Sequence, residues 1–254
     1  MTTYPILEYD ADTEAMIEPQ KLIKPRPDMP EHCVICFFFD VINHFAEQNL
    51  IRRITALRTE MGDHPIYELP YEGRSVALFH PGVGAPLAAG LMEEMIALGC
   101  RKFIACGGAG VLDREIAMGH VLIPVAAVRD EGTSYHYLPP SREVEPSPEA
   151  VAAIETVLKR HQAPYLLAKT WTTDAFYRET KKRVAMRRAE GCLTVDMEAS
   201  ALFAVAQFRR VQLGQILYGG DNLDGEVWDD RGWTEHWTIR EKLIGLAAEA
   251  CLLL

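Results

Sequence analysis

Short uninterrupted apolar runs alternate along this chain with longer stretches of helical spacing. HCVICFFF (32–39) is apolar almost throughout and predicts a strand buried on both faces. SVALFHP (75–81), RKFIAC (101–106), HVLIPVAAV (120–128), YLLAKTWTT (165–173) and GQILYGG (214–220) predict further strands. Helical spacing fills the intervals. APLAAGLMEEMIALG (85–99) stops at Gly99, a suitable helix-terminating residue. SPEAVAAIETVLKRH (147–161) opens with Ser147 as N-cap and Pro148 at the first helical position. RETKKRVAMRRAEG (178–191) reads as a basic, solvated helix and DMEASALFAVAQFRR (196–210) as an apolar one. A last amphipathic helix covers 234–254. Strands alternating with helices predict an α/β fold, one domain of three layers (α/β/α) around a mixed central sheet. Ligands bind such sheets where strands give way to loops.

Residues 1–30 break the pattern. They are polar and carry Pro5, Pro19, Pro25, Pro27 and Pro30, so they read as an N-terminal arm lying over the domain formed by 31–254 or over a neighbouring copy. With 254 residues and 48% hydrophobic content the chain can fill one large core. No apolar run reaches the length of a membrane span, about 18 residues. The first residues are acidic and lack the apolar stretch of a signal peptide, which gives a cytoplasmic expectation and no membrane partner. A net charge of −10 repels phosphate backbones and argues against nucleic acid, while leaving room for a small anionic substrate in a local pocket. The Cys33-x-x-Cys36 pair sits inside an apolar run with no second ligand pair elsewhere, so the six cysteines read as buried thiols and no metal site is expected.

Candidate chemistry gathers after the strands. Pro81-Gly82-Val83-Gly84-Ala85-Pro86 offers bare backbone and a helix N-terminus to an anion, or is simply a tight strand-to-helix turn. Cys106-Gly107-Gly108-Ala109-Gly110 suits backbone packed against a flat or charged group, or a bulge. Asp196 and Glu198 open a nearly uncharged helix; the helix dipole accounts for acids there, but a buried carboxylate also needs a partner, and sugar hydroxyls serve. Asp221 in YGGDNLDG is either a turn residue or an acid whose pKa burial raises. Phe176 and Tyr177, after Thr173, either stack on a heterocycle or belong to the core.

The strings GVGAPLAAGLMEEMIALG, FIACGGAGVLDREIAMGHVLIP, AVRDEGTSYHY, TTDAFY, VDMEAS and the later GGD resemble, in order and spacing, the nucleoside phosphorylase superfamily over about residues 75–225. AVRDEGTSYHY looks most like the uridine phosphorylase branch. The resemblance implies a nucleoside phosphorylase-like fold with the following roles. Met197 and Glu198 lie under the ribose beside Asp196, with Glu198 taking its 2′- and 3′-hydroxyls. Phe176 stacks on the base, next to Tyr177 and Thr173. Gly107, Gly108 and Ala109 border base and anion. Gly82 and Gly84 flank the anion site. Asp221 protonates the leaving base, and His136 with Tyr137 closes the site. It also implies a homo-oligomer, dimer or hexamer, whose candidate contact elements are the arm and the GQILYGG edge.

The chain departs from that pattern at the anion. The family's Gly-Asp-Pro-x-Arg loop is replaced by Phe38-Phe39-Asp40-Val41-Ile42, and its arginine before the second glycine segment by Ala105. Candidate substitute cations are Arg52, Arg53, Arg58, Arg129 and His80. The Gln and Arg that follow the aromatic pair in uridine phosphorylases are Thr180 and Lys182 here, and Asp221 points to a purine or another base that needs protonation. The leading expectation is a pentosyltransferase: nucleoside plus inorganic phosphate gives free base and pentose 1-phosphate, with no organic cofactor or metal. Hydrolysis on the same fold, and a binding protein without turnover, are the alternatives. Phosphate dependence of base release separates them.

Overall fold

The computed structural model describes residues 4–254; the first three residues of the arm lie outside them. In chain order the elements are α1 (Pro19–Leu22), β1 (His32–Cys36), α2 (Phe39–Glu47), β2 (Arg52–Thr59), β3 (Gly62–Tyr71), β4 (Arg74–Phe79), α3 (Ala85–Leu98), β5 (Lys102–Val111), β6 (Val121–Asp130), β7 (Glu143–Val144), α4 (Pro148–Arg160), β8 (Tyr165–Thr173), α5 (Lys181–Ala189), β9 (Cys192–Asp196), α6 (Ala199–Arg209), β10 (Gln212–Asn222) and α7 (Trp237–Leu252). Among these residues no helix is long and apolar enough to cross a membrane.

All five residues of β1 are buried, which follows from its position between β4 and β5, parallel to both. Cys33 and Ile35 face a core built with α3 and α6, whereas Val34 and Cys36 face one built with α2, α4 and α7. The expected three layers are therefore present, and the sheet is mixed: β1, β5 and β10 run parallel while β2, β3 and β4 form an antiparallel meander at one edge. Toward its other end the sheet curls on itself. β5 pairs with β10 and β9, and β10–β6–β8–β9 completes a five-stranded ring.

Several sequence expectations change in detail. The glycine segment after Cys106 is not a loop but part of β5, and β10 continues two residues past the expected strand, through Asp221 to Asn222. Gly107, Gly108 and Ala109 pair in register with Leu217, Tyr218 and Gly219, so the ladder runs straight through them. Gly110 must lack a side chain there, because a Cβ would come within 2.5 Å of Leu223 and 2.9 Å of Val195. The first strand stops at Cys36, and α2 begins within the former run at Phe39. Ser147 is the N-cap residue of α4 with Pro148 following it, as expected, but its side chain does not bond the helix; its Oγ accepts the N–H of Leu213 and ties α4 to β10. Residues 4–30 hold little regular structure and are fastened at points: Glu18 is buried 3.5 Å from Arg209, and the Arg26 N–H donates to the Leu98 carbonyl.

Candidate active site

One cavity of about 800 Å³ opens where the ring strands end. The β5 glycine segment forms one wall. Residues 195–198 form another, the end of β10 with Asp221 a third, and Phe176, Tyr177 and Glu179 stand at the rim.

Glu198 is set by the turn between β9 and α6. Asp196, buried, accepts from the Thr170 hydroxyl (2.6 Å), the Thr172 hydroxyl (2.9 Å) and the N–H groups of Glu198 (3.0 Å) and Ala199 (2.9 Å). These bonds cap α6 from outside and fix the turn. They also occupy Asp196, which lines the cavity but acts as an anchor rather than the free substrate ligand expected from sequence. The Glu198 carboxyl, also buried, accepts the Gly84 N–H at 2.6 Å. Burial pushes it up to about 8, and the Asp196 charge adds to this, while the Gly84 N–H pulls the other way. Gly84 brings the whole first glycine turn with it. Gly82 in that turn has φ +79°, and a Cβ on it would meet Leu87 at 2.2 Å, so only glycine fits.

Across the cavity the Asp221 carboxyl accepts the Trp228 indole N–H at 2.7 Å. Burial raises its pKa and that bond opposes the rise. Glu179 lines the same space; burial, then the charges of Asp221 and Asp196, push it up to about 7. Glu198 and Glu179, whose ordinary values lie far below neutrality, are thus held close to it in one cavity, the setting in which carboxyl groups exchange protons as catalysts.

The other expected residues divide. Met197, Phe176, Tyr177, Gly107, Gly108 and Ala109 line the cavity. Gly82, Gly84 and Thr173 are not in the lining: Val83 between the two glycines is, Gly84 reaches the site through Glu198, and Thr173 is buried at the end of β8. His136 is exposed on a 3-10 turn (Thr133–His136), away from the lining, and Tyr137 packs on Phe208 instead. Arg129 is not an anion ligand within the chain: its guanidinium is buried against Ser134, Ser141 and the carbonyls of Leu138 and Pro139. His80 Nδ1 accepts the Gly82 N–H at 3.0 Å, and burial lowers its pKa, so it buttresses the turn as a neutral ring. Arg52 and Arg53 pair with Glu68 and Asp63 on the edge hairpin.

Sequence reading missed Glu179, Trp228, Trp233, Gln215 and Arg240 as lining residues. A polar position inside an otherwise apolar strand was the available signal for Gln215. Nothing local marked the rest.

Residues 31–253 match the family model of the phosphorylase superfamily. The chain is similar to a guanosine phosphorylase of Halorubrum lacusprofundi, 26% identical over 63% of this chain and 67% of the relative. It is similar to a uridine phosphorylase of Thermococcus kodakarensis, 33% identical over 70% and 69%. It spans 59% and 63% of the length of the uridine phosphorylases of Treponema pallidum and Haemophilus influenzae. Its fold is that of the AMP nucleosidase crystal structure from Bacteroides thetaiotaomicron, with a TM-score of 0.72 at 24% identity over 89% of both chains. The fold, the site-bearing segments and the profile agree: this chain belongs to the phosphorylase superfamily.

Proposed function

We propose that the chain cleaves the N-glycosidic bond of a nucleoside and passes the pentose to inorganic phosphate. The observation that carries this is the placement of Glu198 and Asp221 on separate walls of one cavity, with bare glycine backbone between them. Glu198 keeps one carboxyl oxygen for the pentose hydroxyls while Gly84 holds the other. As the glycosidic bond breaks, its electron pair goes to the base nitrogen and positive charge grows on the sugar. Glu198 stabilises that charge, most effectively as the carboxylate. Asp221, whose pKa burial raises, gives its proton to a ring nitrogen of the base, and a phosphate oxygen bonds the anomeric carbon. Phe176 and Tyr177 are the stacking surface for a purine or other protonatable base. Named relatives that are guanosine and uridine phosphorylases support phosphate as the acceptor. The exposed Phe176, Tyr177, Val227 and Trp228 support assembly into a homo-oligomer across this face.

Hydrolysis is the second reading, and one observation favours it. Five carboxyl groups, Glu179, Asp196, Glu198, Asp221 and Glu226, line the cavity, and its two cations, Lys181 and Arg240, already pair with Glu226 and Asp40. A dianion enters such a field less readily than water. Assay of free base from a nucleoside panel, with and without phosphate, separates the two: phosphorolysis requires phosphate and yields pentose 1-phosphate, and hydrolysis proceeds without it.

A further inference from the structure

We propose that Arg240, on the C-terminal helix, binds the phosphate co-substrate, taking over from a different element the charge that the β1–α2 connection does not supply. The inference rests on the phosphorolysis reading above. Of the cavity's two cations, Lys181 reaches out to a carboxylate that is itself in solvent. Arg240 is buried at 6% exposure and still lines the cavity. Its Nη1 donates to Asp40 at 2.6 Å and its guanidinium lies 4.9 Å from the centre of the Phe38 ring, so its plane is held by the start of α2. Its Nε–H has no partner among the described residues and is itself closed to solvent. A guanidinium buried with an unsatisfied donor carries a desolvation cost that an anion in the cavity would offset through its charge, and a planar fork of donors fits a tetrahedral oxyanion.

The neighbourhood suits a small anion. Phe37 and Phe38 from the same connection, Tyr218 and Trp233 make the surrounding wall apolar, which strengthens a charge contact. Gly108 is exposed backbone, and a Cβ on it would stand 3.1 Å from the Tyr218 ring. Asp40 is half exposed, so it can hold the guanidinium in place without neutralising it as a buried carboxylate would.

The test is steady-state kinetics of base release with phosphate and nucleoside varied separately, for wild type, Arg240→Met, Arg240→Lys, Asp40→Asn and the charge-balanced Asp40→Asn/Arg240→Met pair. Arg240→Met, and the double variant if the single one fails to fold, should raise KM for phosphate at least about tenfold and leave KM for nucleoside within about twofold, the loss of one charged ligand. Arg240→Lys should fall between. Asp40→Asn, which frees more of the guanidinium, should lower KM for phosphate. An unchanged phosphate KM across the set, in an enzyme whose wild type needs phosphate, overturns the assignment of Arg240 and leaves phosphorolysis standing. Base release by wild type that ignores phosphate overturns both.

Discussion

The backbone N–H of Gly84 donates to the carboxyl of Glu198, 114 residues later, at 2.6 Å. This bond joins the turn before α3 to the mouth of α6 and puts the two sequence features that most suggested an active site at one point. It also explains how a carboxyl this buried is tolerated, since burial without a donor is far more expensive.

Glu198 should govern both turnover and the pH response of stability. Its native value near 8 lies above the ordinary 4.5. The folded protein therefore holds a proton that the unfolded chain releases, and stability declines as pH rises between those values. Glu198→Gln keeps the acceptor for Gly84 and removes the ionisation. Its melting temperature should gain on wild type steadily from about pH 5 to about pH 8, while base release is abolished. Parallel melting curves at all pH values would show that Glu198 does not titrate in this window.

Asp221 works as an acid only while protonated, so activity should fall as pH climbs through its raised pKa. The Trp228 N–H stabilises the ionised form. Trp228→Phe should therefore shift the basic limb of the rate profile to higher pH, and Asp221→Asn should lower kcat by about 10²- to 10⁴-fold with little change in stability. A basic limb that Trp228→Phe leaves in place assigns it to another group, Glu179 being the first to examine.

Thr170 and Thr172 act through Asp196. Replacing Thr172 by Val removes a bond to Asp196 and the acceptor for the Ser200 N–H. The expected cost is about 1–3 kcal/mol in chemical denaturation, the penalty for unsatisfied buried groups. KM for nucleoside should rise as the Glu198 turn loosens. A Thr172→Ser variant, which keeps both bonds, should recover most of each effect.

Gly82→Ala should destabilise by more than about 1 kcal/mol, because φ +79° and the Leu87 side chain both exclude a Cβ. The pair Gly82→Ala/Leu87→Ala relieves the collision but not the backbone strain and should recover only part of the loss.

The fold was largely legible because buried strands and helices stand out as short and long apolar runs, as β1, β5, α3 and α6 do. What stayed hidden was set by neighbours. The hairpin β2–β3 is an edge of mixed burial with weak alternation. The glycines at 107–110 read locally as a loop, and they form strand because β10 pairs with residues 107–109 and β9 with Gly110. In the site, Glu198 and Asp221 stood out as acids beside apolar elements. Arg129 stood out equally, and only the structure shows its donors spent on Ser134, Ser141 and two carbonyls. Arg240 was hidden for the opposite reason: an arginine on an amphipathic terminal helix reads as solvated, and its burial depends on Phe38 and Asp40, some 200 residues earlier.

The most direct measurement is chromatographic detection of free base from guanosine, inosine, adenosine and uridine incubated with phosphate and either wild type or folded Glu198→Gln protein. Wild type should release base from at least one purine nucleoside, with pentose 1-phosphate as co-product, and the variant should release none. Absence of base from every nucleoside, or equal release by the variant, would contradict the account.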